Sequence, residues 1–524
     1  MAKVFVALVI AAVVGYTGWY YHRQHPELLG RLTSDGKKDD GKSDDKPDPK
    51  AGGKTGDTPA AGGSKAARDP RRIVIGVNDF GGAYPGLVAN DGALPGPNSR
   101  FTAAGLDVEI KLIKGSKERL EAFDKGEVDV MLLTLDYFAN LVPQYREKGV
   151  ELKAFLMADW SRGNLGIVSK PEIKSIEGLK NAKVATTRNT PTHYLLLSLL
   201  KKSNLTAAEV EGVKSHIVYA TKTPQAGEMY KRGEVDAVAI WEPHLSQAMA
   251  GGKGRLLVST ATATNLVADV LYAREDWIRA HEEDLTKLAR AWFEGVAALE
   301  KDPDAGVKTI AKAFSQTEEE TRGVLGKIKP ATFADNRAFL GLDREQCAYA
   351  SLFDEASRFW QKEGVIKTIA PAAPTRWLKA LEAVQKEHAE EKIVENFKFA
   401  QGPKADVDPL LTKSVSIYFA SGDATLGPNA RQIVDGFAEV LGQFGNAYVR
   451  VEGNTDNQGA RAKNVALSKK RAQALIDYVV AQYNLDRARF VAVGNGPDKP
   501  VGDNKTNEGR EMNRRTDFAI IPNN

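Results

Sequence analysis

The distribution of apolar positions divides this chain into segments before any motif is read. From Val4 to Tyr21 the apolar run is almost unbroken. It is about long enough to cross a bilayer core, and it ends in Gly18-Trp-Tyr-Tyr21, a cluster suited to a membrane interface. A cleaved leader is the competing reading. No small-x-small site follows the run, so an uncleaved transmembrane anchor is expected over residues 1–32. From Thr33 to about Asp69 almost no apolar residue larger than alanine occurs among Gly, Lys, Asp, Ser and Pro. Residues 33–71 bury too little surface to offset the entropy of ordering and read as a disordered linker.

From Arg72 the texture changes. Ile73–Val77, Val108–Ile113 and Gly126–Leu133 read as buried strands, with a helix over Ser116–Asp124. Such alternation predicts an α/β sheet whose strand-end loops build a site. The pattern then repeats. Phe123-Asp-Lys-Gly-Glu-Val-Asp-Val-Met-Leu132 returns as Tyr230-Lys-Arg-Gly-Glu-Val-Asp-Ala-Val-Ala239, preceded by a strand, Ala182–Thr186, and a helix, Thr192–Lys202. Two similar lobes facing each other would form a cleft. Further on, Glu282–Glu300 carries an amphipathic stripe, Pro374 to about Phe397 reads as a long helix, and 398–413 reads as a tether. Near the C-terminus Val449 and Val451 alternate with Arg450 and Glu452 as in a half-buried strand. A polar Asn454-Thr-Asp-Asn-Gln-Gly459 turn follows. A helix then begins near Asn464 to Ser468, its apolar face formed by Ala472, Leu475, Ile476, Val479 and Val480.

Composition removes several function classes. A length of 524 residues points to two or three domains. A net charge of +4, with mixed signs and no aromatic–basic run, carries no nucleic-acid signature. The single Cys347 excludes a disulfide framework and a cysteine metal cluster, and the seven His show no ligand spacing beyond His22 and His25 beside the apolar run. No metal, cofactor or catalytic residue is expected.

Candidate solute-binding residues follow from position. Asn78 and Phe80 end the first strand, Thr134 and Asp136 end the first echo, and Trp241 and Glu242 end the second. Thr190 and Thr192 start a helix, where free N–H groups and hydroxyls hold an acceptor or simply cap the helix. Trp241 either stacks on a flat ligand or packs in the core. Asp159 and Trp160 precede a crossover, so a hinge role competes with ligand contact. The candidate loops hold more carboxylates (Asp79, Asp136, Asp159, Glu242, Asp269) than cations (Arg162, Arg188), which points to a neutral or cationic solute rather than an oxyanion.

Four segments in order carry a family resemblance: Asp159-Trp-Ser161 before Gly163-Asn-Leu-Gly-Ile-Val168, then Ile176-Glu-Gly-Leu-Lys180, Asn189-Thr-Pro-Thr-His-Tyr-Leu195 and Ile240-Trp-Glu-Pro243. Together they resemble the solute-binding proteins of ABC importers, in the branch serving nitrate, sulfonates, taurine and pyrimidine precursors. The resemblance implies an α/β two-lobed periplasmic-binding-protein domain (type II-like) over 72–397. Lobe one would take about 72–165 and 268–397, and lobe two about 166–267. It also implies a small-molecule solute and an ABC permease as partner. Two alternatives stay open. One is an enzyme on the pyrimidine-precursor-synthase fold, whose cysteine cluster this chain lacks. The other is a membrane-to-wall tether with a vestigial or sensory cleft.

A second resemblance covers roughly Ser414 to Ile521. Val415-Ser-Ile-Tyr-Phe-Ala420, Gly453-Asn-Thr-Asp456, Leu467-Ser-Lys-Lys-Arg-Ala472, Asn504-Lys-Thr-Asn-Glu-Gly-Arg510 and Asn513-Arg-Arg515 are similar to the OmpA-like peptidoglycan-binding domain, an α+β fold (414–521). The resemblance implies that Asp456 takes the ammonium, and Arg471 the carboxylate, of diaminopimelate in the stem peptide, with Thr455, Asn464 and Arg514 around them. Asn454 departs from the aromatic or His usual before Thr-Asp. Arg471 is expected in or near the first turn of its helix beside Asp456, and a structural ion pair is the bland alternative. The whole reads as a protein of a Gram-negative-type cell envelope, anchored in the inner membrane with periplasmic domains.

Overall fold

The computed structural model describes residues 69, 71–252, 254–399, 407–417, 419 and 422–523. The expected anchor and nearly all of the linker lie outside them. Among the described residues no helix is long and apolar enough to cross a membrane.

Two sheets make the first body. One contains β1 (Arg72–Val77), β2 (Asp107–Leu112), β3 (Val130–Thr134), β4 (Leu152–Ser161), β10 (Ala268–Arg274) and β11 (Ile328–Pro330) in the order β11-β4-β10-β3-β1-β2. The other contains β5 (Leu165–Ser169), β6 (Val184–Thr187), β7 (Ile217–Ala220), β8 (Ala237–Trp241) and β9 (Arg255–Ser259) in the order β7-β6-β8-β5-β9. Position for position the order is the same. Three parallel strands (β2-β1-β3 or β7-β6-β8) are followed by an antiparallel β10 or β5, then by β4 or β9. We call these lobes one and two. The chain crosses between them after β4 and returns before β10. The two crossings are tied by Ser161 Oγ to Thr260 Oγ1 at 2.9 Å and by the Ser161 N–H to the Val267 carbonyl at 3.0 Å.

The repeated Gly-Glu-Val-Asp string has a physical basis in both lobes. Helix α1 (Ser116–Asp124) and helix α4 (Thr223–Lys231) each run into a glycine at positive φ, Gly126 at 70° and Gly233 at 77°, which glycine adopts without steric cost. Val128 and Val235 are then buried. The Asp129 carboxylate accepts the Val74 N–H of β1 at 2.8 Å, and Asp236 accepts the Lys183 N–H just before β6 at 2.9 Å. Each Asp thus satisfies a strand amide that the sheet ladder leaves open.

Helices cover the sheets. Helix α2 (Leu135–Arg146) follows β3, and α3 (Pro191–Lys202) follows β6. In α5 (Glu282–Lys301), Leu285, Leu288, Trp292, Val296 and Leu299 are buried, as the stripe predicts. Trp292 lies so close to Gly86 that a Cβ there would stand 2.4 Å from its ring. Helix α6 (Ala348–Lys362) packs on α2 and also meets α3 of lobe two. The long helix expected from Pro374 is cut short: only Lys379–Val384 is α-helical. Arg376 bridges to Ala154 of β4 and the Trp377 N–H donates to the Ala154 carbonyl at 2.8 Å, so tertiary pairing holds the preceding residues extended. Beyond Val384 the run is charged, and Glu387 and Glu391 are taken by Arg290 and His388.

The C-terminal body is a sheet ordered β12-β15-β13-β14, made from β12 (Leu411–Val415), β13 (Ala447–Asn454), β14 (Phe490–Gly496) and β15 (Thr516–Pro522). It is covered by α7 (Pro428–Gln443) and α8 (Arg461–Tyr483). The Val415–Ala420 run, which the resemblance makes an opening strand, lies partly outside the described residues; the described strand covers Leu411–Val415. Glycine lets α8 approach the sheet: a Cβ at Gly453 would stand 2.2 Å from the Ser468 carbonyl oxygen, and one at Gly494 2.3 Å from that of Val465.

Candidate functional site

Antiparallel pairing sets the floor of the interlobe site. Asp269 in β10 stands opposite Thr134 of β3 on one side and Asp159 of β4 on the other. Directly opposed residues share a face of the sheet. Asp136 follows in the first turn of α2. All three carboxylates are buried, and no donor from the described residues meets Asp136 or Asp159 in good hydrogen-bond geometry. The Thr134 hydroxyl and the Asp136 and Tyr137 amides still lie close enough to favour ionised Asp136, and the Asp159 carboxyl shares a contact with Asp269. Burial pushes Asp136 up to about 7 and Asp269 up to about 6. Burial, reinforced by the Asp269 charge, drives Asp159 well above the usual carboxylate range. Arg119 is the neighbouring cation that favours ionised Asp269. It is 1% exposed, donates from Nη1 to the Ile113 carbonyl at 2.6 Å, and leaves its Nε without a partner. The loop after β1 closes over the carboxylates: a Cβ on Gly82 would stand 3.0 Å from Asp269 Oδ2. Asn78 and Phe80 open that loop as a turn in which Asn78 Oδ1 accepts the Phe80 N–H at 3.3 Å.

Lobe two presents its candidates less uniformly. Thr190 caps α3, but Thr192 is fully buried with its hydroxyl against those of Thr190 and Thr186, at 3.0 and 3.3 Å. Its hydroxyl therefore serves the interior of lobe two. His193 beside them bonds Tyr219 Oη at 3.1 Å, and burial brings its pKa down to about 4, so the ring is neutral at neutral pH. Trp241 is half-buried at the end of β8. Glu242 accepts from the Ser246 N–H and hydroxyl and pairs with Lys327, which precedes β11, so it latches one lobe to the other. Trp160 corrects the sequence reading: it is 6% exposed and packs edge-on against Phe339 at 5.2 Å, inside lobe one. Alternation along β4 turns it to the face opposite Asp159. Arg119 and Trp360 were not among the sequence candidates, and Asp269 was named there only for its charge. Trp360 donates from Nε1 to the Asp136 carbonyl at 2.7 Å while its ring lies 5.9 Å from His193, so it stands between the lobes. Asp269 was legible as a carboxylate at a crossover, whereas Arg119 and Trp360 look like ordinary helix residues in sequence.

The second site lies where β13 ends. Asp456 pairs with Arg514 at 2.7 Å and accepts the Gln458 N–H at 3.0 Å. The structural ion pair with Arg471, the bland alternative, is not formed, although the Asp456 charge still acts on Arg471. Helix α8 starts at Arg461, earlier than predicted, so Arg471 falls in its third turn. From there it donates from Nε to the Asp423 carbonyl at 2.9 Å and lies over the Phe419 ring at 4.8 Å. Burial pulls the Arg471 pKa down, against the opposing charges of Asp423 and Asp456. Asp456 is thus flanked by two guanidiniums, one bonded to it and one acting through its charge. Thr455 donates to the Asp456 carbonyl at 2.8 Å, and Asn464 donates to the Gln458 carbonyl at 2.9 Å, which together shape the turn. Asn454 turns inward and donates to Asp517 at 2.9 Å.

Two duplicated lobes meeting at a carboxylate-lined edge, joined to a small sheet-and-helix body, define a bilobal α/β domain with an appended α+β module. Residues 100–306 match the NMT1/THI5-like family and residues 418–514 the OmpA family. The chain therefore joins an NMT1/THI5-like domain to a C-terminal OmpA-family domain. Outer membrane protein Omp38 of Acinetobacter baumannii is 38% identical over 111 residues, 21% of this chain and 31% of that protein. Peptidoglycan-binding protein ArfA of Mycobacterium tuberculosis is 33% identical over 123 residues, 23% of this chain and 37% of its own length. The chain thus spans about a third of each of these relatives. Among solved structures, the periplasmic aliphatic sulphonate-binding protein SsuA of Escherichia coli aligns with 60% of this chain and all of its own, at 16% identity and a TM-score of 0.46. The desulfurization enzyme DSZB aligns with 61% of this chain and all of its own, at 14% identity and a TM-score of 0.44.

The buried carboxylates carry a pH signature. A carboxyl whose folded pKa lies above its unfolded value stabilises the fold most below the unfolded value and loses that contribution as pH rises through the folded one. For Asp136 the window runs from about 4 to about 7. Without solute, Asp136→Asn should therefore be more stable than the parent at pH 7.5 by roughly 1–3 kcal/mol, with little difference at pH 4. Urea midpoints at the two pH values check this; equal differences at both would remove Asp136 as the cause.

Proposed function

We propose that this chain is a non-enzymatic envelope solute receptor that holds itself to the cell wall. The two lobes take a small molecule between the Asn78–Phe80 loop, Thr134, Asp136 and Asp159 on one side and Thr190, Trp241 and Glu242 on the other. The observation that carries this reading is the duplicated strand order, with buried carboxyl groups lacking well-placed donors at the edge where the lobes meet. The excess of carboxyl groups over cations at this edge favours a neutral or cationic solute, which ionises Asp136 when it brings a positive charge. The OmpA-family domain binds peptidoglycan, Asp456 receiving the ammonium of a diaminopimelate stem peptide and Arg471, with Arg514, its carboxylate. The matched relative named for peptidoglycan binding supports this half. The apolar Val4–Tyr21 run anchors the chain in the inner membrane, and an ABC permease receives the solute.

A thermal-shift screen of the full-length chain tests the receptor half. Ligand binding to the native state raises the melting temperature by mass action. Agmatine, putrescine, histamine and neutral pyrimidines form one set, and sulfate, nitrate and ethanesulfonate the other. A saturable shift from the first set, absent in Asp136→Asn, is the expected result. A shift from the oxyanions alone keeps the receptor and overturns the charge of its solute. A cooperative melt that no compound moves favours a wall tether with a vestigial cleft.

A further inference from the structure

The OmpA-family domain does not hang free of the lobes; it is seated on their hinge. The hinge is the pair of crossings, residues 161–165 outward and 260–268 back. The return crossing is bound to the end of α7: the Asn265 N–H donates to the Gln443 carbonyl at 3.1 Å, Asn265 Nδ2 donates to the Gly442 carbonyl at 3.0 Å, and Asn446 Nδ2 donates to the Ala261 carbonyl at 3.1 Å. Gly445 approaches so closely that a Cβ there would stand 2.6 Å from Thr264 Oγ1. The outward crossing is held through Arg162. This side chain donates to Asn265 Oδ1 at 3.1 Å, pairs with Glu395 at 3.0 Å and lies over the Phe397 ring at 5.0 Å. Phe399, two residues on, packs edge-on against Tyr448 of β13 at 5.3 Å, and Asn523 donates to the Lys398 carbonyl at 3.1 Å. The return crossing is thus bonded directly to the C-terminal body, and the outward crossing reaches it through Asn265 and the 395–399 segment.

The same domain also grips each lobe. Lobe two donates the Ile176 N–H to the Leu410 carbonyl at 2.8 Å and accepts the Thr412 N–H on Glu177 at 2.8 Å. Lobe one is reached through Glu355 of α6. That carboxylate takes Lys202 and Ser198 from α3 of lobe two and, at 3.3 Å, the side-chain amide of Gln443 from α7. One buried carboxylate thus joins lobe one, lobe two and the wall module. Opening a two-lobed domain requires a few hinge residues to absorb large backbone rotations. Here the return crossing and both flanks of the cleft are bonded to a third body.

We propose that the OmpA-family domain acts as a brace on the hinge, holding the lobes together and making their opening depend on its release. The brace rests on the receptor reading only in requiring that the lobes can part. Because coupling between sites is reciprocal, whatever loads the wall module then shifts the population of open lobes, and the solute affinity with it.

Interlobe distance in the full chain tests this directly. Spin labels go at Lys117→Cys, exposed on α1 of lobe one, and Arg232→Cys, exposed just after α4 of lobe two, with Cys347→Ser to remove the native thiol. The braced chain should give one narrow distance. Asn265→Ala with Gln443→Ala should broaden the distribution and add a longer component. Meanwhile the Thr412 amide should lose hydrogen-exchange protection, and the amides of β1 and β6 should keep theirs, showing that both lobes stay folded. A parent already as broad as the variant overturns the brace and leaves the receptor intact. A distance that stays narrow after Thr412 is deprotected shows lobes that do not part and overturns both. If Thr412 stays protected in that variant and also when Glu355→Gln is added, the domain is held by other contacts and the proposed brace bonds are wrong.

Discussion

Arg471→Ala should abolish retention of the full chain on purified peptidoglycan while leaving its melt nearly unchanged. Arg471 is half-buried, bonded to the Asp423 carbonyl and seated on Phe419, so its guanidinium is positioned before any ligand arrives. Removing one partner of a desolvated charge pair in a binding site costs about 2–5 kcal/mol, a loss of at least roughly thirtyfold in affinity. Among its contacts the folded state loses the hydrogen bond to the Asp423 carbonyl and the stacking on Phe419, each worth about 1 kcal/mol. Arg514→Ala is the informative comparison, because Arg514 already pairs with Asp456. Its removal leaves Asp456 with a single nearby guanidinium and should weaken retention less than Arg471→Ala. Retention of Arg471→Ala at the parental level would make Arg471 a structural cation and move the carboxylate site to Arg514.

Lys202→Met should destabilise the chain by about 3–5 kcal/mol. Lys202 is 7% exposed, and its ammonium meets Glu355, itself largely buried. Burial works to raise the Glu355 pKa, but the Lys202 charge and hydrogen bond outweigh it and hold the carboxyl below its usual range. Burial still pulls the Lys202 ammonium down, so the pair only partly repays its desolvation. Methionine fills the space of the lysine stem and leaves the carboxylate in place with only the Ser198 and Gln443 dipoles to solvate it. Breaking one side of a buried pair costs this much because the surviving charge stays out of water, whereas replacing both sides by apolar groups is often neutral. Lys202→Met with Glu355→Leu should therefore recover most of the loss. Urea denaturation of the parent, single and double variants measures it. A double variant as unstable as the single one would place the cost in packing rather than charge.

Much of the architecture is legible along the chain. The repeated Gly-Glu-Val-Asp string marks two copies of one strand-entry device. The left-handed stop and the buried valine are local requirements, while the aspartate closes each copy by reaching an amide at the neighbouring strand more than fifty positions back. The β13 to α8 turn is legible because its requirements are local too. What fails is reach. Arg471 was expected in or near the first turn of its helix, but α8 begins at Arg461 and carries it to the third turn. The guanidinium bonded to Asp456 is that of Arg514, far along the chain. Trp160 reads as either a hinge or a ligand-contacting residue until alternation along β4 is fixed by its partners and turns it into the core. The expected helix after Pro374 yields because the Ala154 carbonyl claims the Trp377 amide.

The sequence by itself determined the order of strands and helices, the duplication, the two family matches and the acidic character of the lobe-facing loops. These depend on periodicity, turn chemistry and local hydrogen bonding, which act over a few residues. Only the tertiary structure decided which carboxylates lie together, which guanidinium meets Asp456, and that the C-terminal domain sits on the hinge. Glu355, Lys202 and Gln443 meet across 241 positions of chain, from 202 to 443, at a point where each is otherwise an ordinary polar helix residue. Their meeting is set by how three separately folded bodies pack, and burial there gives each charge its consequence.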